Sequence, residues 1–230
     1  MHTVSELYRS IYSGNHWKEI MVRIDNVEFV SDQLVSLTTN RSLYTEEKPG
    51  IGSCVAGEIT LAYFPGEDIP PRMAKIEPFV RIANDSAASE WIPKGVFYSD
   101  TRIVDKETGM YTIHGFDSML KAEQPFFTGG DTGTWPRTAP VVVSQIAKKM
   151  GVIVDGRTVL QELVLIPFPN DLTCREILGH IAVAHAGNWV MSDVGELLLI
   201  ELTDIPPETN LLVDNLGDVI KFGEVSILVG

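Results

Sequence analysis

The sequence predicts an α+β chain that is mainly β: an antiparallel β-barrel with a small α/β domain adjoining it or inserted in it. Three observations predict this. About seven β-type runs lie before residue 117, at the spacing of an all-β barrel or sandwich, and a closed or nearly closed barrel is the preferred form. After Phe127 the composition changes to TGGDTGTWPRTAP, rich in Gly, Thr and Pro. Beyond that stretch, two capped helical stripes alternate with strands. The chain therefore divides into a β-barrel domain with a short N-terminal helix over 1–127, a linker over 128–137, and a small α/β domain of two helices and a hairpin over 138–203. Residues 204–230 read as a second linker and further strands, which suggest an unfinished sheet.

In chain order, Thr3 and Glu6 form a capping box ahead of Leu7, Tyr8 and Ile11, which predicts a short amphipathic helix ending near Gly14. Three β-type runs follow, EIMVRI, VEFV and QLVSLTT, separated by short polar turns as in a tight meander. CVAGEITLAYF is the next strand, with Gly57 at a bulge or close approach. Pro70 and Pro71 mark a turn or extended linker, and AKIEPFVRIAN resumes a strand whose Pro78 predicts an edge or bulged position.

The run 91–121 shows strand, turn, strand and helix start together. Alternation over 96–104 places Phe97, Ser99, Thr101 and Ile103 on one face, and Gly109 ends a short loop that needs a positive φ. Asp117 then caps a short helix from Ser118. In the second half, Thr138 and Pro140 open a helix ended by Gly151. The capping box Thr173–Glu176 opens another that stops at Gly187, and a hairpin turns at Ser192 to Gly195.

The formal charge of −13 opposes binding to nucleic-acid phosphates. Cys54 and Cys174 lack metal or disulfide spacing, so two free thiols are expected. No apolar run is long enough to span a bilayer, and no basic-then-apolar leader opens the chain. His180 and His185 are five residues apart, more than about 100° around a helix, and so do not share a ligand face. His114, Asp117 and Ser118 supply the residue types of a hydrolase triad without the G-x-S-x-G elbow, and the helix-cap role is favoured for Asp117. Gly129, Gly130, Asp131 and Gly133 lack the GK[ST] ending of a phosphate loop, and Asp214, Asn215, Gly217 and Asp218 lack EF-hand spacing. Catalytic, cofactor and metal residues are therefore expected to be none.

Glu90, Trp91, Ile92, Pro93, Gly95, Phe97 and Tyr98, followed by Asp117 and Met119, carry a resemblance. This pattern resembles the first domains of phage and prophage tail hub proteins, a family that includes the baseplate hubs of contractile phages and the tail-associated proteins of siphophages. The resemblance implies a hub-type barrel with the α/β unit beside or inside it, later strands over 204–230 that return to the barrel or begin a next one, and a non-enzymatic virion component that self-associates, as a trimeric ring, below the tail tube. It implies distal tail or tail tube proteins as partners, DNA passing an acidic lumen without specific binding, and residence in the virion tail after synthesis in the bacterial cytoplasm. Trp91, Pro93 and Phe97 are the candidates for packing or interface contacts. Two other classes stay open: a β-sandwich carbohydrate-binding or adhesion module of a bacterial surface protein, and a fragment of a peptidoglycan hydrolase.

Overall fold

The computed structural model describes residues 4–44, 50–66, 69–127 and 133–202, with two further short strands near the C-terminus. Helix α1 (Glu6–Tyr12) is capped by Ser5, whose hydroxyl accepts the Tyr8 N–H. This corrects the expected cap at Thr3, which lies outside the described residues. Ser5 also donates its N–H and O–H to the two carboxylate oxygens of Glu90, at 2.8 and 2.6 Å, which ties the helix start to the sheet.

Eight strands form one antiparallel sheet. They are β1 (Trp17–Ile24), β2 (Val27–Val30), β3 (Leu34–Asn40), β4 (Glu58–Tyr63), β5 (Lys75–Ala83), β6 (Ile92–Pro93), β7 (Phe97–Val104) and β8 (Tyr111–Asp117). The ladder runs β2-β1-β5-β7-β8-β4-β3, with β6 beside β5. The path is open: among the described residues no ladder joins β2 to β3, so a closed barrel is not seen. The sheet nevertheless curls. Phe29 on β2 meets Tyr63 on β4 at 4.9 Å, edge to face, and one core gathers Val22, Ile24, Phe29, Ile59, Leu61, Tyr63, Ile76, Phe97 and Ile113 from six strands.

Two local expectations fail for physical reasons. Pro78 is not on an edge: β5 pairs with β1 along its length and with β7 and β6 on the other side. The Asp25 N–H bonds the Lys75 carbonyl, and alternation along the ladder then makes Val22–Pro78 a non-hydrogen-bonded pair. The Pro78 ring nitrogen thus faces the gap between β7 and β6, where no donor is needed. In β7 the register shifts between Ser99 and Thr101. The extra residue reverses the alternation, so Arg102, not Thr101, lies opposite buried Ile113, and Ile103 is 69% exposed.

The hairpin loop 105–109 ends at Gly109 with φ +75°, and the Asp105 carboxylate accepts the Glu107 N–H. The expected helix after Asp117 is a 3₁₀ turn, Ser118–Glu123. Strands β9 (Arg137–Thr138) and β10 (Leu165–Ile166) pair beside α2 (Ala139–Met150), which Gly151 ends in the left-handed conformation. Thr138 stands at the N-cap without a side-chain bond, so its cap is supplied by position and by Pro140 alone. Helix α3 (Cys174–Ala184) opens on the full Thr173–Glu176 capping box. It stops at His185, not Gly187, which already belongs to β11 (Gly187–Met191) paired with β12 (Leu197–Glu201).

A second core gathers Val142, Val143, Ile146, Met150, Ile177, Leu178, Ile181, Trp189 and Leu197, and draws Cys54, Met119 and Phe126 from earlier in the chain. Strands β13 (Lys221–Phe222) and β14 (Val225–Ser226) pair with each other. The expected linker over 204–210, the Asp214 to Asp218 turn and residues 128–132, the first half of the expected linker, lie outside the described residues.

Tyr63 is fully buried, and its hydroxyl has no hydrogen-bond partner among the described residues. Deleting an unpartnered buried hydroxyl removes a desolvation cost of about 1–3 kcal/mol while the ring stays packed on Phe29. Tyr63→Phe is therefore expected to unfold at equal or higher denaturant concentration than the wild type in chemical denaturation.

Candidate functional site

The most heavily bonded polar feature is the joint between the two cores, and Asp117 stands at its centre. Strand β8 ends at Asp117 and the 3₁₀ turn begins there, leaving free backbone N–H groups for the carboxylate to satisfy. One carboxylate oxygen accepts the Met119 N–H at 2.9 Å and the other accepts the Gly57 N–H at 2.8 Å, while the Asp117 N–H donates to the Gly57 carbonyl at 2.9 Å. Gly57 is required: a Cβ there would stand 2.7 Å from the Asp117 Oδ2. This is the close approach expected of that glycine.

The segment 50–57 links the two cores, with Cys54 and Ala56 packed in the second. It leads into β4 at one end and runs parallel beside β11 at the other, through a Cys54–Trp189 bridge and a Trp189 N–H to Ser53 carbonyl bond of 2.9 Å. Asn188 grips it twice, accepting the Ser53 N–H and donating to the Gly50 carbonyl. Trp189, fully buried, donates its indole N–H to the Leu178 carbonyl at 2.9 Å and so fixes α3 against the hairpin.

Two arginines close the joint. Arg41, just past β3, pairs with Asp193 and donates to the Met191 carbonyl, while Arg175 on α3 donates to the carbonyls of Cys54 and Met119. The Asp193 turn also accepts the Gly95 N–H at 3.1 Å, so the β11–β12 hairpin tip is pinned to the sheet at two points. Burial pushes the Asp117 carboxyl up to about 6, against the two N–H groups and the Arg41 and Arg175 charges, which pull it down. A cavity of about 200 Å³ beside it is lined by Arg41, Val55, Gly57, Asp117 and Met191.

The other sequence candidates do not converge on chemistry. His114 stands 3.8 Å from Glu58 and edge-on to Phe116, away from the bonds of Asp117, so His114, Asp117 and Ser118 form no relay. His185 is buried between the Ile181 carbonyl and the Gln161 N–H, whereas His180 lies at the mouth of a cavity of about 480 Å³ with Phe168 and Pro169. No group of three or more His, Cys, Asp or Glu among the described residues could hold a metal ion. Phe97 lies in the sheet core, Pro93 pairs with Phe79 in β6, and Trp91 is half-buried under the Arg81 guanidinium, 4.4 Å above its ring. Asp117 was legible as a cap. Arg41, Asp193, Arg175 and Asn188 were not, because their partners lie more than a hundred residues away or on backbone carbonyls that carry no sequence mark.

No protein-family model matches the chain, and no curated protein shows significant similarity to it. The fold does match solved structures. It is similar to the 43 kDa tail protein of prophage MuSo2 from Shewanella oneidensis, at 17% identity and a TM-score of 0.54, over 86% of this chain and 59% of that one. It is likewise similar to the tail protein from Neisseria meningitidis MC58, at 12% identity and a TM-score of 0.54, over 79% of this chain and 50% of that one. The chain thus shares its fold with phage tail proteins and spans between half and three-fifths of their length. No helix among the described residues is long and apolar enough to cross a membrane.

Two outcomes follow for the joint. Gly57→Ala is expected to displace the Asp117 carboxylate and cost about 1–3 kcal/mol in denaturant unfolding. Because the folded carboxyl titrates near 6, above its ordinary 3.8, its stabilising contribution is complete below 3.8 and is lost as pH rises through 6. Measured against Asp117→Asn, the wild type should lose on the order of 3 kcal/mol between those two pH values; a difference that stays flat with pH would contradict the burial.

Proposed function

We propose that the chain is a structural component of a phage or prophage tail: a hub or baseplate protein that assembles as a trimeric ring below the tail tube. The observation that carries this reading is the fold shared with two tail proteins over 86% and 79% of the chain. The residues of the 91–121 run point the same way, since they build the β6–β8 portion of the sheet and end at the Asp117 joint.

In this reading the curled sheet over 1–127 acts as the hub-type barrel, and the unit over 138–203 stands beside it as the small α/β domain, with 128–137 between them. The strands after 204 return to the barrel or begin a next one. The ladder of one chain leaves β2 and β3 at its ends, so strand edges are available for contacts between copies. The protein works without catalysis in this reading: His114, Asp117 and Ser118 form no relay, and the Asp117 carboxylate is taken up by the Gly57 and Met119 N–H groups. Its partners are copies of itself and the distal tail or tail tube proteins. The formal charge of −13 suits a lumen that DNA crosses without specific binding, through repulsion of like charges. The protein is made in the bacterial cytoplasm and ends in the virion tail.

Multi-angle light scattering on the purified chain tests the ring. Three times the chain mass of 25.4 kDa at high protein concentration is expected; a strict monomer at every concentration would contradict it.

A further inference from the structure

Among the described residues, β3 and the outer half of β7 each leave a strand edge without a backbone partner, and their backbone groups match. In β4–β8 the Asp117 N–H bonds the Gly57 carbonyl, so alternation directs Ile59, Leu61 and Tyr63 to β8 and Glu58, Thr60 and Ala62 to β3. On β3 the bonded residues are then Ser36, Thr38 and Asn40, which face Ala62, Thr60 and Glu58. Leu37 and Thr39 turn their N–H and C=O groups away from the sheet.

The same alternation applies to β7. The Asp105 N–H bonds the Met110 carbonyl, so Thr101 and Ile103 bond β8 and the backbone of Arg102 and Val104 faces outward. On that side β5 covers β7 only at Phe97 and Tyr98, and the last backbone bond is the Ser99 N–H to the Ala74 carbonyl. Past it, a groove of about 510 Å³ opens between Pro71, Arg72 and Met73 on one wall and Ser99 to Arg102 on the other. Met73 and Ile103 beside it are 71% and 69% exposed.

We propose that β3 of one copy adds as a strand to the free outer half of β7 in the next copy, seated in this groove. The register is antiparallel, with Leu37 opposite Val104, Thr39 opposite Arg102 and Thr38 opposite Ile103. The inference rests on the ring reading and names its contact. A head-to-tail contact between two different edges is the kind that closes a ring, whereas a self-complementary edge would stop at a two-fold dimer.

Charge selects β3 as the donor. Exposed edges are ordinarily blunted by charged residues, Pro or shortness. β2, at the other end of the sheet, is four residues long and carries Glu28 paired with Arg23. β3 is seven residues, LVSLTTN, with no charge and no Pro, in a chain of formal charge −13. β3 itself brings no charge to the contact, and the charged residues it meets in the groove are Arg72, Asp100 and Arg102, two cations and one anion.

Cross-linking in the full-length chain tests the register. Thr38→Cys and Ile103→Cys would form a non-hydrogen-bonded pair, whose Cα separation of about 4.5 Å admits a disulfide. Native Cys54 and Cys174 are buried and do not compete. A mixture of the two single variants should give a cross-linked dimer under mild oxidation, and neither variant alone should exceed the wild-type background. Thr39→Pro removes an outward donor while leaving every β3–β4 bond in place, and should weaken association roughly tenfold; Thr39→Ala should leave it unchanged. An assembled wild type with no cross-link in the mixture would overturn this contact and leave the ring reading standing. Cross-linking of Thr38→Cys with itself would also overturn it, in favour of a two-fold β3–β3 contact. A wild type that never associates would overturn both. The cross-link decides the matter whether or not Thr39→Pro folds.

Discussion

The carboxylate of Asp117 is the constraint from which the rest of this structure follows. It sits where β8 ends, where the 3₁₀ turn starts and where the segment entering β4 passes, and it satisfies one backbone N–H on each of the latter two. An apolar side chain at 117 would leave those donors buried without partners, at about 1–3 kcal/mol each. The requirement spreads outward: position 57 must be glycine, the 50–57 segment must lie beside β11, and Trp189 must close over it from the α/β side. The cost is a buried charge, lowered by Arg41 and Arg175 but not removed.

Much of the fold was legible because its signals are local. The Gly109 turn, the Thr173–Glu176 box, the Gly151 stop and the β11–β12 hairpin each need only a few neighbouring residues to declare themselves, and each stands where the sequence put it. What failed depends on partners far away. Pro78 reads as an edge residue until β6 and β7 are known to leave a gap at its nitrogen. Thr101 reads as inward-facing until the bulge before it changes the parity of the strand. The joint was half legible: a cap is a local motif, but Arg41 reaching Asp193 spans 152 positions and leaves no spacing to read.

The same physics connects the fold to assembly. The sheet is curled enough to bring Phe29 onto Tyr63, and among the described residues its end strands present unpaired backbone groups that can template pairing. The α/β unit cannot swing freely to cover them, because Asp193 is held by Arg41 at the end of β3 and by Gly95 before β7. The joint therefore stiffens the two regions whose edges remain open. Strand edges that stay unpaired among the described residues, on a sheet braced in this way, are the feature that the proposed assembly would use.

Immunogold electron microscopy of tail particles released by the bacterial strain whose genome carries the gene is the most direct measurement of the proposed role. Label confined to the tail end below the tube is predicted. Tail particles that carry no label, with the chain recovered only in the unassembled fraction, would contradict it.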